Sequence, residues 1–234
     1  MTPAPNRRDF PDRATLADAL AADAAALLQA GITERGAALL IVSGGTTPLA
    51  FFDALSRRAL DWSRVVITLA DERRVSDDNP RSNAGLVRRA LLQNAAAGAR
   101  FVPLADSHLS AEQELAAASA RIAALPLPAD LVVLGMGADG HTASWFPDAV
   151  GLAEAIDPAA RALVAPIEAP GAGEPRLTLT GRVILRARKL ALHIEGVEKL
   201  RVLEEALKAG PVAGMPVRAA LREAGERVTI YWAQ

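Results

Sequence analysis

Hydrophobic and polar positions along the chain fall into two alternating patterns. Four apolar, β-branched runs, Ala38–Val42, Val65–Leu69, Leu131–Leu134 and Leu190–Ile194, read as strands buried on both faces. A fifth, Val228–Trp232, closes the chain. Between them, Thr15–Gln29, Pro48–Arg58, Ser82–Gln93, Ser110–Ala123 and Val197–Ala209 carry helical patterns. Strands that alternate with helices predict an α/β fold, a mostly parallel, Rossmann-like sheet with helices on both faces. In such sheets ligands sit beyond the carboxyl ends of the strands. The stretch from Asp157 to Pro175, broken by Pro158, Pro166, Pro170, Gly171 and Gly173, reads as a long irregular connection with a short strand at Leu163–Ile167. Nothing else reads as a linker, so the 234 residues are expected to form a single domain.

Composition narrows the function classes. Hydrophobic residues make up 51% and charged residues 23%, which suits a soluble globular protein with a sizeable core. Formal charge is 26 − 27 = −1, so no global field draws nucleic acid or anionic membranes. The Ala/Leu-rich stretch Leu16–Ala30 is interrupted by Asp18 and Asp23, and reads as an amphipathic helix rather than a membrane span. Met1–Arg13 lacks the apolar centre of a signal peptide. With no Cys there are no disulfides, no thiolate chemistry and no Cys-ligated zinc, which is compatible with the cytoplasm. The three histidines show no metal-ligand spacing, so no metal is expected.

Candidate chemistry begins where predicted strands stop. Ser43-Gly44-Gly45-Thr46-Thr47-Pro48 opens a helix straight after a strand; its glycines, hydroxyls and helix N-terminus suit an anion, although a tight capped turn is an equal reading. It lacks the Lys of a Walker A loop. Asp71-Glu72-Arg73-Arg74 reads as a charged loop able to orient a polar substrate or stabilise developing negative charge, against the common alternative of surface ion pairs. Ser82 or Asn83 reads as a helix cap. Lys199 sits in a predicted first helical turn, where the macrodipole disfavours a cation unless an anion joins it. Arg176 is a further cation that alone says little.

The run Gly135-Met136-Gly137-Ala138-Asp139-Gly140-His141-Thr142-Ala143-Ser144 contains G-x-G-x-x-G after a strand, with Glu154 near the spacing of a ribose-binding acid. A dinucleotide site is therefore the obvious rival. It fails because Trp145-Phe146-Pro147-Asp148 breaks the segment within about two turns, whereas a dinucleotide fold needs a long helix there. What remains is a bend presenting His141, a side chain usable as a base near neutral pH. His108 lies in a polar loop, and His193 lies inside a strand as a packed or edge residue.

Taken in order, Ser43–Pro48, Asp71–Arg73, Ser82–Asn83, Gly135–Pro147, Arg176–Thr180 and Gly196–Lys199 resemble the 6-phosphogluconolactonase family, within the fold group of glucosamine-6-phosphate deaminases and isomerases. The resemblance spans nearly the whole chain and is strongest at Asp139-Gly140-His141-Thr142-Ala143-Ser144. It implies hydrolysis of 6-phospho-D-glucono-1,5-lactone without a cofactor, by a monomeric cytoplasmic enzyme. It further implies His141 as the base, Asp71 and Arg73 as active-site residues, Ser43, Gly44, Gly45 and Thr46 as a phosphate cradle, and Lys199 at the phosphate end. By the same resemblance Arg176, Ser82 and Asn83 are expected to contact substrate, and Asp139 either to orient His141 or to be structural. The deaminases continue their Asp-Gly-His motif into Ile-Ala-Phe-Asn-Glu; here Thr142–Asp148 follows and that Glu has no counterpart. A non-catalytic sugar-phosphate sensor would need the Ser43 loop and Lys199 but neither His141 nor Arg73.

Overall fold

The computed structural model describes residues 5–106, 108–170 and 172–234. In chain order its elements are β1 (Asn6–Phe10), α1 (Arg13–Arg35), β2 (Ala38–Val42), α2 (Leu49–Ser56), β3 (Val65–Leu69), β4 (Asp71–Arg73), α3 (Asn83–Ala90), β5 (Arg100–Val102) and α4 (Ala111–Ala123). Then follow β6 (Leu131–Leu134), α5 (Leu152–Ile156), β7 (Val164–Ile167), β8 (Arg176–Leu179), α6 (Gly181–Ile184), β9 (Lys189–Glu195), α7 (Val197–Leu207), α8 (Val217–Glu223) and β10 (Val228–Ala233).

Seven strands form one sheet in the order β1-β10-β9-β6-β2-β3-β5, every pair parallel. Every residue of β2, β3 and β6 is buried, which is why those runs show no polar alternation. From β2 the chain steps one way to β3 and β5; β6, β9 and β10 step the other way. Right-handed crossovers then put α1, α2 and α3 on one face and α4 and α7 on the other. The reversal falls between β2 and β6, which are neighbours, and that is where a crevice opens.

The longest helix, α1, is capped by Asp12, whose carboxylate accepts from the Thr15 N–H at 2.7 Å, and it ends at Gly36. By length and composition it could cross a membrane, yet it lays Leu16, Leu20, Ala24 and Leu28 against the core. Its Asp18 and Asp23 meet Arg58 and Arg8.

The connection read as irregular is more ordered than its prolines suggest. Its strand β7 pairs antiparallel with β8, and β8 with β4, making a second, three-stranded sheet. Pro166 fits because β7 is an edge strand, where a missing N–H is tolerated. The segment Asp71–Arg73, expected as a loop, is the other edge of this small sheet.

Candidate active site

Beyond the carboxyl ends of β2 and β6 lies a cavity of about 370 Å³. Its wall brings together Ser43, Gly44, Gly45, Thr46, Asp71, Arg73, Asn83, His141, Arg176 and Lys199. Among the charged side chains of that wall, Arg73, Arg176 and Lys199 outnumber Asp71, so the local field favours an anion although the chain carries a net charge of −1.

The glycine loop after β2 is held at its root by the Ser43 N–H, which donates to the Val133 carbonyl at 3.0 Å. Among the described residues, the N–H groups of Gly44, Gly45, Thr46 and Thr47 have no protein acceptor. They precede α2, so the helix dipole adds to their pull on an anion. Gly44 is obligatory for packing, since a Cβ there would fall 1.8 Å from Asn83 Oδ1.

The loop after β6 is built differently. The Gly137 N–H donates to the His141 carbonyl at 2.8 Å, and Thr142 Oγ1 donates to the Gly135 carbonyl at 2.7 Å. Asp139 Oδ1 accepts from the His141 N–H at 3.0 Å and lies 2.6 Å from His141 Nδ1. Burial raises the Asp139 pKa, but the His141 N–H and the imidazole outweigh that and hold its carboxyl below the ordinary range. With the Nδ1 proton facing the carboxylate, Nε2 is left to exchange a proton. A Cβ on Gly137 would lie 2.1 Å from Nδ1, so only glycine leaves room for this ring. Asp139 is not part of the cavity wall; it stands behind His141.

Strand alternation divides the Asp71–Arg74 run. Asp71 and Arg73 face the cavity, whereas Glu72 and Arg74 point away. Buried Glu72 accepts from the N–H groups of Asn83 at 2.9 Å and Ala84 at 2.6 Å, fastening β4 to the start of α3. Desolvation raises its pKa, with those N–H donors working in the opposite sense. Arg74 pairs with the fully buried Glu114 of α4. Arg73 Nη1 donates to the Arg81 carbonyl at 2.6 Å and to Asn83 Oδ1 at 3.0 Å. Asp71 accepts from the Ser144 hydroxyl and lies 3.7 Å from Arg176 Nη1. Desolvation lowers the Arg176 pKa, Asp71 opposes this, and the guanidinium stays charged.

Ser82, expected to contact substrate, is placed as a helix cap. Ser82 is absent from the cavity wall; its Oγ accepts the Gly85 N–H at 3.0 Å and donates to Glu72, so it caps α3. Asn83 does reach the wall, and its side-chain amide donates to the Asp71 carbonyl at 2.9 Å.

Two residues given no role from sequence belong to the neighbourhood. His193 is buried yet lines the cavity; its Nε2 lies 3.2 Å from Glu195 Oε1. Its position near the carboxyl end of β9 was the available signal. Phe146 packs on His141 with ring centroids 4.3 Å apart; the sequence marks it only as part of the Trp145–Asp148 break and of the Gly135–Pro147 run, with no role of its own. Among the described residues no group of three or more His, Asp or Glu could hold a metal.

The family model described as glucosamine-6-phosphate isomerases/6-phosphogluconolactonase matches residues 11–232. A 6-phosphogluconolactonase of Rhizobium meliloti is 53% identical, over 97% of this chain and 98% of its own. One of Mesorhizobium japonicum is 52% identical, over 97% and 95%. A crystal structure of a 6-phosphogluconolactonase from Shewanella baltica superposes with a TM-score of 0.95 at 40% identity, covering 100% of both chains. The chain belongs to the glucosamine-6-phosphate isomerase/6-phosphogluconolactonase family.

Proposed function

We propose that the chain is a 6-phosphogluconolactonase that hydrolyses 6-phospho-D-glucono-1,5-lactone to 6-phospho-D-gluconate, the second step of the oxidative pentose phosphate pathway. The observation that carries the reading is one cavity whose wall joins His141, backed by Asp139, to the three cations Arg73, Arg176 and Lys199. Lactone hydrolysis asks for a deprotonated water, a stabilised oxyanion and a protonated leaving oxygen, and a single imidazole can make both proton transfers. Neither a metal nor an organic cofactor is needed for that chemistry.

In this mechanism His141 Nε2 takes a proton from water as the water oxygen bonds to the lactone carbonyl carbon. Arg73 stabilises the resulting oxyanion. The bond from that carbon to the ring oxygen then breaks, and Nε2–H returns the proton to the departing oxygen. Asp139 fixes the tautomer and offsets the transient imidazolium charge. Asp71 holds the Arg176 guanidinium against the substrate. At the other end, Ser43 to Thr46 and Lys199 bind the phosphate, whose binding energy positions the distant reacting carbon. The chain acts as one domain, as a monomer, in the cytoplasm.

The test is hydrolysis of the lactone by purified protein, corrected for spontaneous opening, with glucosamine 6-phosphate assayed in parallel. Acceleration of lactone opening without ammonia release supports the reading. Ammonia release from the amino sugar with no acceleration of lactone opening contradicts it.

A further inference from the structure

The run Trp145-Phe146-Pro147 breaks the segment that follows His141, and its packing shows what that break achieves. Trp145 is fully buried and anchored, its Nε1–H donating to the Leu179 carbonyl at 3.1 Å. Its N–H donates back to the Thr142 carbonyl at 2.9 Å, and the Phe146 N–H donates to the Ser144 carbonyl at 3.1 Å. The chain therefore turns on itself. Phe146 comes to rest beside the imidazole, with ring centroids 4.3 Å apart and planes tilted by 42°. The same ring takes the guanidinium of buried Arg176, whose central carbon is 5.0 Å from its centroid.

We propose that Phe146 is a positioning residue for His141: its ring holds the imidazole against Asp139 and stabilises the imidazolium formed once the attacking water has given up its proton. The proposal deepens the lactonase reading and rests on His141 being the base. An aromatic face carries negative quadrupole charge and attracts a cation, more strongly where water is thinned out. A side chain of similar bulk without a π-face fills the space and lacks that attraction. Asp139 contacts the imidazole from its own loop, and the charged or titratable groups that share the cavity wall with it are Asp71 and Arg73 on β4, Arg176 on β8, His193 on β9 and Lys199 on α7. Asp139 and Asp71 favour the imidazolium and the three cations oppose it, so the aromatic face adds to the favourable side without adding net charge. Across the loop, Gly140 packs on the apolar side chain of Met215. No step gains or loses an electron: the proton that reaches Nε2 from water leaves with the ring oxygen.

The test combines a proton NMR titration of His141 in the intact chain with the pH profile of kcat, for the wild type, Phe146→Leu and Phe146→Tyr. Loss of the π-face makes the imidazolium easier to deprotonate. In Phe146→Leu the titration midpoint and the acid limb of kcat should both move to lower pH by about half a unit. Maximal kcat should fall about three- to tenfold with KM changed less. Phe146→Tyr keeps the π-face and should restore both midpoint and rate. Unmoved titration in a folded Phe146→Leu, or a loss confined to KM, overturns the proposal. Should the Leu variant not fold, the wild type decides: ring-current shifts on the His141 ring protons are expected, and their absence overturns it. The titration reads the Phe146–His141 contact whatever the substrate, so failure of the lactonase reading shows separately, as missing turnover with the shift retained.

Discussion

Two loops flank the switch point of the sheet, and they are built to opposite ends. The one after β6 satisfies itself: Gly137, Asp139, His141 and Thr142 bond to one another or to Gly135, and the imidazole is set before any ligand arrives. The one after β2 leaves the N–H groups of Gly44 to Thr47 without acceptors among the described residues, at the start of a helix. A loop that spends its donors internally fixes a geometry, whereas a loop that keeps them free binds. On the proposed lactonase reading, the difference gives chemistry to the loop after β6 and anchorage to the loop after β2, a division that suits differential binding of a transition state.

The sharpest way to break that division is at its chemical end. His141→Ala should lower kcat by about 10²–10⁴-fold, measured by lactone hydrolysis above the spontaneous rate. Binding of 6-phosphogluconate, read by calorimetry, should change little. Lys199→Ala acts at the other end, raising KM and weakening product binding by about ten- to a hundredfold, with kcat affected less.

The smallest effect concerns Asp139, whose side chain is half exposed. Its carboxyl titrates below the ordinary range, so its stabilising bonds are complete above that range and are lost as pH falls through the depressed value. Asp139→Asn should therefore lower Tm near neutral pH by no more than about 2 °C, given how little exposed pairs contribute. That difference should close in acid, as a thermal melt across pH would read.

Much of this was visible in the chain because the strands that carry the site are buried on both faces. β2 and β6 announce themselves as unbroken apolar runs and β3 as one interrupted only by the buried, β-branched Thr68, and the loops that follow them hold the polar motifs. The sheet edges were hidden for the converse reason. β1 reads Asn-Arg-Arg-Asp-Phe because an edge strand can show charge to solvent, and β5 is only three residues long. The small sheet was hidden more deeply. Arg176 and Thr178 are buried on β8 because their partners, Asp71 and the Ala70 carbonyl, arrive from over a hundred residues away. Likewise nothing local in Asp-Glu-Arg-Arg says that Glu72 fastens a helix while Arg73 faces a cavity; three residues of strand pleat decide it. Ser82 was legible as a cap, but its bond to Glu72 was not.

The division of the cavity is tested most directly by a crossed comparison of His141→Ala and Lys199→Ala, in which kcat for the lactone and Kd for 6-phosphogluconate are measured on the same preparations. The account predicts a large fall in kcat with near-native Kd for the first, and a raised Kd with a largely retained kcat for the second. Equal losses in both quantities for both variants, or a His141→Ala enzyme that turns over like the wild type, would contradict it.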